Sequence, residues 1–124
     1  MNQDPTNHLT IYCDGGARGN PGPAASAFVV KDSARKIVHQ HGLFLGNATN
    51  NQAEYQAVLS ALEWLSQNYP SSETLFYLDS QLVVNQLLGN FKIKDPDLKI
   101  KSSQIKNLIA NCKLRIMSFV YIPR

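Results

Sequence analysis

The sequence predicts an α/β domain built on a five-stranded mixed sheet, three antiparallel strands followed by parallel ones, with helices packed on it. Three observations carry this expectation. An apolar run from Leu9 to Cys13 ends on a lone acid, Asp14, and a turn rich in Gly and Pro follows as far as Pro23. Two further strand-like runs come next with only short polar spacers between them, which is the pattern of an antiparallel meander. The pattern then switches to a helix, a strand, helices and a last strand, and a parallel pairing needs such a crossover.

Taken in order, the first strand covers Leu9 to Cys13, and the four Gly and two Pro after Asp14 interrupt any regular element. The second runs over Ala24–Lys31, with small residues that suit a central strand packed closely on both faces. Asp32 to Arg35 is a turn, and Lys36–Leu45 alternates well enough for a third strand that includes His39 and His41, both read as structural. Asn50 or Asn51 is placed to cap the next helix. Its apolar residues Ala53, Ala57, Val58, Ala61, Leu62 and Leu65 recur at the helical period, and it is expected to end near Asn68, ahead of Pro70. Thr74–Leu78 is a fourth strand, apolar on both sides, and Asp79-Ser80 suits the cap of a short helix over Gln81–Leu88. Gly89 to Lys101 reads as a basic connector, Leu98–Cys112 as a helix, and Leu114–Ile122 as the last strand.

The chain has 124 residues, the size of one domain with a core of its own. No apolar run approaches the roughly 20 residues of a membrane span, and Met1 to Thr10 lacks the apolar stretch of a signal peptide. Cys13 and Cys112 are too few for a disulfide scaffold and have no metal-ligand spacing, so both are expected as reduced thiols in a cytoplasmic protein. The net charge of +3 is unevenly placed. Met1 to Phe91 carries a balance of −3, and Lys92 to Arg124 one of +6. That asymmetry suggests a polyanionic partner, although a solvated helix face explains the same lysines.

Three acids deserve separate weighing. Asp14 ends an apolar run, Asp79 ends another, and Glu54 lies in the first turn of the first helix. Each has an ordinary explanation: a turn acid, a helix cap, a carboxylate at the positive end of a helix dipole. Yet if the first and fourth strands are parallel neighbours, Asp14 and Asp79 share the rim at their carboxyl ends, where ligands of open α/β sheets gather. Carboxylates converging there cannot all stay ionised cheaply without a cation. The donor set is all oxygen, which favours Mg²⁺ or Mn²⁺ over zinc.

The stretches Asp14-Gly-Gly-x-x-Gly-Asn-Pro-Gly-Pro, Thr49-Asn-Asn-x-Ala-Glu54-Tyr and Tyr77-x-Asp79-Ser-Gln together resemble the ribonuclease H type 1 family, over Leu9 to Arg124 and in the family's order. The resemblance implies a ribonuclease H-like fold. It also implies metal-dependent endonuclease action on the RNA strand of RNA–DNA hybrids, leaving a 3′-hydroxyl and a 5′-phosphate. Asp14, Glu54 and Asp79 would be both catalytic residues and metal ligands in a two-ion Mg²⁺ mechanism, with Mn²⁺ able to substitute and Asp14 bridging the ions. Gly15, Gly16, Asn20, Asn50, Asn51 and Gln81 match the family's substrate contacts in the minor groove, where the 2′-hydroxyl distinguishes RNA from DNA. Lys92, Lys94, Lys99 and Lys101 are candidates for phosphate contacts.

One part of the family pattern is missing. Members usually continue past the last strand through Arg-x-x-Asn-x-x-Ala-Asp into a C-terminal helix that supplies a fourth carboxylate, whereas residues 1–124 are expected to form a single domain ending after the last strand. Asp95 and Asp97 do not match that position. Weakened or absent cleavage is therefore expected. The alternative reading is a catalytically weak or inactive hybrid- or RNA-binding module, or a fragment, of the same fold.

Overall fold

A computed structural model of the chain describes residues 4–123. After a 3₁₀ turn over Pro5–Asn7 come β1 (His8–Ala17), β2 (Gly22–Lys31), β3 (Ile37–Ala48), α1 (Asn50–Asn68), β4 (Glu73–Leu78), α2 (Gln81–Leu87), α3 (Pro96–Asn111) and β5 (Arg115–Tyr121). The five strands form one sheet in the order β3-β2-β1-β4-β5. β1, β2 and β3 pair antiparallel, whereas β1–β4 and β4–β5 are parallel. The mixed sheet expected from the sequence is therefore present, with α1 linking the meander to the parallel half.

β1 runs further than the sequence suggested. Pairing with β4 does end at Cys13 opposite Leu78, but pairing with β2 continues through Asp14, Gly15, Gly16 and Ala17 opposite Ala27 to Ala24. Asp14 thus lies within a strand on one side and beyond the last parallel pair on the other. Glycines did not break the strand because its β2 partners are small and the antiparallel ladder supplies their hydrogen bonds.

The core lies between the sheet and α1. Leu9, Ile11 and Cys13 of β1, Phe28 and Val30 of β2, and Phe76 and Leu78 of β4 meet the helix residues Ala57, Val58, Ala61, Leu62 and Leu65. All six positions assigned to the apolar face of α1 are fully buried, so the helical period read in the sequence is the packing face. α3 packs on α1, and α2 lies against β4 and β5. On β2 and β4 burial alternates residue by residue. The expectation that both strands are covered on two faces is corrected: Ala25 and Ala27 are exposed, and Tyr12 and Tyr77 stack half-buried across β1 and β4 at 5.3 Å.

Three local boundaries differ for identifiable reasons. α1 is capped by Thr49, not Asn50 or Asn51, because Thr49 Oγ1 accepts from Gln52 N while Gln52 Oε1 accepts from Thr49 N, a reciprocal capping box. α3 begins at Pro96 inside the expected connector, since Asp95 Oδ1 accepts from Asp97 N and Leu98 N and proline is pre-set for a first helical turn. β3 extends to Ala48, with irregular register near Ala24/Ala25 and Val30/Lys31. His39 does serve the structure, stacking on Trp64 at 4.9 Å, while His41 is exposed beside Phe28. Among the described residues no helix is long and apolar enough to cross a membrane. Both cysteines are free, Cys13 buried and Cys112 half-buried.

Leu62 is fully buried at the centre of the α1 face. Leu62→Ala removes its contacts and leaves a void, so urea denaturation should show a loss of about 2–5 kcal/mol, with a single cooperative transition retained.

Candidate active site

Asp14 and Asp79 each follow directly on the last residue of the parallel ladder, Cys13 and Leu78. The register therefore sets the two acids side by side at one rim. Glu54 arrives from α1, whose start lies against β1. Carboxylate oxygens of Asp14, Glu54 and Asp79 all lie within 4.8 Å of one another. Asp14 is exposed, Asp79 half-buried and Glu54 buried at 3 % exposure.

The approach of α1 to β1 depends on Gly15. A Cβ there would overlap the Ala53 carbonyl carbon and stand 2.5 Å from Glu54 N, both rigid backbone. Without it, Gly15 N–H donates to Glu54 Oε1 at 2.7 Å. Two further ties fix the same junction. Ala17 N–H donates to Asn50 Oδ1 at 2.8 Å, and Asn50 N–H donates to Asn20 Oδ1 at 3.0 Å. Of the sequence-predicted substrate contacts, Gly15, Asn20 and Asn50 are thus part of the junction itself. Gly16 lies opposite Ala25 with Asn50 Oδ1 nearby, and Asn51 is half-buried in the first turn of α1. Gln81 is exposed at the start of α2, capped by Ser80, whose Oγ accepts from Val83 N.

Sequence reasoning missed three members of this junction. Thr49 and Gln52 were legible as a Thr-x-x-Gln capping box. The link from Gln52 Nε2 to Asp97 Oδ2 at 3.1 Å, which ties the start of α3 to the start of α1, had no local signal.

Glu54 Oε2 is buried and receives no hydrogen bond from the described residues. Burial pushes the Glu54 carboxyl up to about 8, the adjacent Asp79 carboxylate and the charge of Asp14 push it the same way, and the Gly15 N–H opposes them. A buried, unsatisfied oxygen facing two more carboxylates is what a hard cation would satisfy. Nitrogen and sulfur donors are absent from the cluster, and Cys13 nearby is held protonated by its burial. The residues present therefore fit Mg²⁺ or Mn²⁺. Asp95 and Asp97 belong to the start of α3 and are not members of the cluster.

A meander joined through one helix to parallel strands, with acids at the strand ends, defines a ribonuclease H-like protein. The chain belongs to the RNase H family, whose model matches residues 6–122. It is 40% identical over 121 residues to Ribonuclease HI of Halobacterium salinarum, covering 98% of this chain and 59% of that protein. The chain thus spans less than two thirds of that relative's length. A crystal structure of LC11-RNase H1 in complex with an RNA/DNA hybrid superimposes with a TM-score of 0.87 at 38% identity, over 94% of this chain and 86% of that one. The N-terminal RNase H domain of Rv2228c from Mycobacterium tuberculosis gives a TM-score of 0.87 at 34% identity, over 94% and 88% of the two chains.

Two outcomes are expected. Gly15→Ala should lower the melting temperature and weaken Mg²⁺ binding together, because the added methyl group forces the start of α1 and Glu54 away from β1. Unchanged Mg²⁺ affinity by calorimetry would contradict this. Glu54 should also make the metal-free protein less stable as pH rises. The native carboxyl keeps its proton to about 8, whereas an unfolded one releases it near 4.5, so the unfolding free energy falls across that window. Urea midpoints in EDTA should decline from pH 5 to 8, Mg²⁺ at pH 8 should restore them, and Glu54→Gln should flatten the profile.

Proposed function

We propose that the chain hydrolyses the RNA strand of RNA–DNA hybrids in a divalent-metal-dependent reaction that yields 3′-hydroxyl and 5′-phosphate ends. The observation that carries this reading is the convergence of Asp14, Glu54 and Asp79 within 4.8 Å in a chain of the RNase H family. The hybrid bound to the similar LC11-RNase H1 supports the substrate class.

Asp14, Glu54 and Asp79 would hold the cations, with Glu54 Oε2 the most deeply placed ligand atom. Bound Mg²⁺ supplies Lewis-acid polarisation of a phosphodiester and a water of lowered pKa. The chain's own part is to hold these oxygens at fixed spacing and to orient the strand. Gly15 N–H keeps Glu54 Oε1 occupied, so Oε2 stays directed at the other acids. The amide oxygens of Asn20 and Asn50 accept backbone N–H groups, which leaves their NH₂ groups as the donors available to a 2′-hydroxyl or a base edge. Gly16, Asn51 and Gln81 complete the contact surface. Lys92, Lys94 and Lys99 are exposed and free to approach phosphates, whereas Lys101 Nζ donates to Gln56 Oε1 at 3.0 Å. Such contacts would add salt-dependent affinity.

A labelled hybrid incubated with Mg²⁺ or Mn²⁺ tests the reading. The RNA strand should be cut, and Asp14→Asn or Asp79→Asn should reduce the rate by at least about 100-fold while hybrid binding persists. Intact hybrid binding with no cleavage by the unaltered chain would establish a binding module instead.

A further inference from the structure

A second polar cavity lies away from the carboxylates, on the sheet face opposite α1. It encloses about 270 Å³ and is lined by Thr10, Tyr12, Lys31, Ser33, Arg35 and Tyr77, together with Asp32. That is near the lower end of small-ligand sites, about 300 Å³. Its wall is aromatic: the Tyr12 and Tyr77 rings stack at 5.3 Å with 19° between their planes, and Lys31 Nζ stands 5.3 Å over the Tyr12 ring.

Its rim is cationic and built by a tightly tied turn. Asp32 Oδ1 accepts from Ala34 N and Lys36 N, Arg35 N–H donates to the Asp32 carbonyl, and Ser33 N–H donates to the Pro5 carbonyl. The Asp32 carboxylate is thereby engaged in holding the turn. Arg35 sits at φ 66°, a left-handed conformation that costs a non-glycine residue roughly 1 kcal/mol or more. A glycine would be the cheaper residue there. The chain instead keeps a long cation at the mouth of an aromatic-walled cavity.

We propose that this cavity binds one nucleotide unit of single-stranded nucleic acid, the base against the Tyr12–Tyr77 wall and the phosphate between Lys31 and Arg35. Aromatic surface with flanking cations is the combination that holds single strands with little dependence on sequence. Thr10, Tyr12 and Asp14 sit at every second position of β1, so the cavity lies on the same sheet face as the Asp14 side chain. Thr10 lies four residue steps from Asp14 along the strand, about 13 Å at 3.3 Å per residue. A strand passing Asp14 can therefore continue over Tyr12 towards Arg35. The site uses neither the acid cluster nor a bound metal ion, so its test is independent of cleavage.

Fluorescence anisotropy of a labelled eight-residue deoxyoligonucleotide, in EDTA at low salt, reads this binding directly. Arg35→Gly relieves the left-handed backbone and should keep or raise the melting temperature, yet weaken binding several-fold. Lys31→Glu with Arg35→Gly should weaken it by about tenfold or more, and Tyr77→Leu by about fivefold or more. Competition by a 5′-mononucleotide as effective per site as the oligonucleotide would identify a free nucleotide as the ligand of the same cavity. Inorganic phosphate competing equally well would overturn the aromatic half of the proposal. Oligonucleotide binding unaffected by all three variants would overturn it entirely, whatever the outcome for hybrid cleavage.

Discussion

The arrangement of the molecule depends on one close approach, that of the first turn of α1 to the backbone of β1 at Gly15. The Gly15 N–H bonded to Glu54 Oε1 is possible only because no side chain separates the two backbones. Once they are that close, the other contacts follow. Asn50 Oδ1 reaches Ala17 N–H, Asn20 Oδ1 reaches Asn50 N–H, and the rest of α1 lies over β1 and β2. Burial of Leu62, Leu65, Val58 and Tyr55 along the helix adds to the hydrophobic stabilisation of the core, and the junction decides where along the sheet the helix begins.

That placement has an electrostatic consequence. An acid brought in on a rigid helix cannot move away from Asp14 and Asp79, nor can water reach Glu54 Oε2 freely. Burial and the neighbouring carboxylates raise the Glu54 carboxyl well above its ordinary range, which favours its protonated form. The same arrangement would pre-form an oxygen cage for a divalent cation, since the three carboxylates already lie within 4.8 Å of one another. Gathering three acids in one place costs stability without an ion and would favour binding one, which is a common compromise at functional sites.

Much of this was legible in the sequence because the signals are local. A run of apolar residues ending in an acid located Asp14 and Asp79, and the helical spacing of Ala53, Ala57, Val58, Ala61, Leu62 and Leu65 located the buried face of α1. The parallel relation of β1 to β4 followed from the need for a crossover. Boundaries were less legible. The Gly-rich stretch after Asp14 was expected to leave the sheet, yet β2 holds it in the antiparallel ladder as far as Ala17. The Asn pair was expected to cap α1, yet a reciprocal bond pair gives that role to Thr49 and Gln52. The start of α3 was hidden by the polar, lysine-rich composition of Gly89 to Lys101, which alone assigned that stretch to a connector.

The sequence by itself determined the order of elements, the places of the three acids in it and the family, because periodicity, strand-ending carboxylates and motif order are written in neighbouring residues. Only the tertiary structure decided that Glu54 is buried, that Gly15 is required for closeness and not for flexibility, and that Asn20 and Asn50 build the junction they were expected to serve as contacts. It alone also set Arg35 at the mouth of an aromatic cavity. Each of these depends on groups far apart in the chain meeting within a few ångströms, and burial, close approach and shared charge exist only once those groups have met.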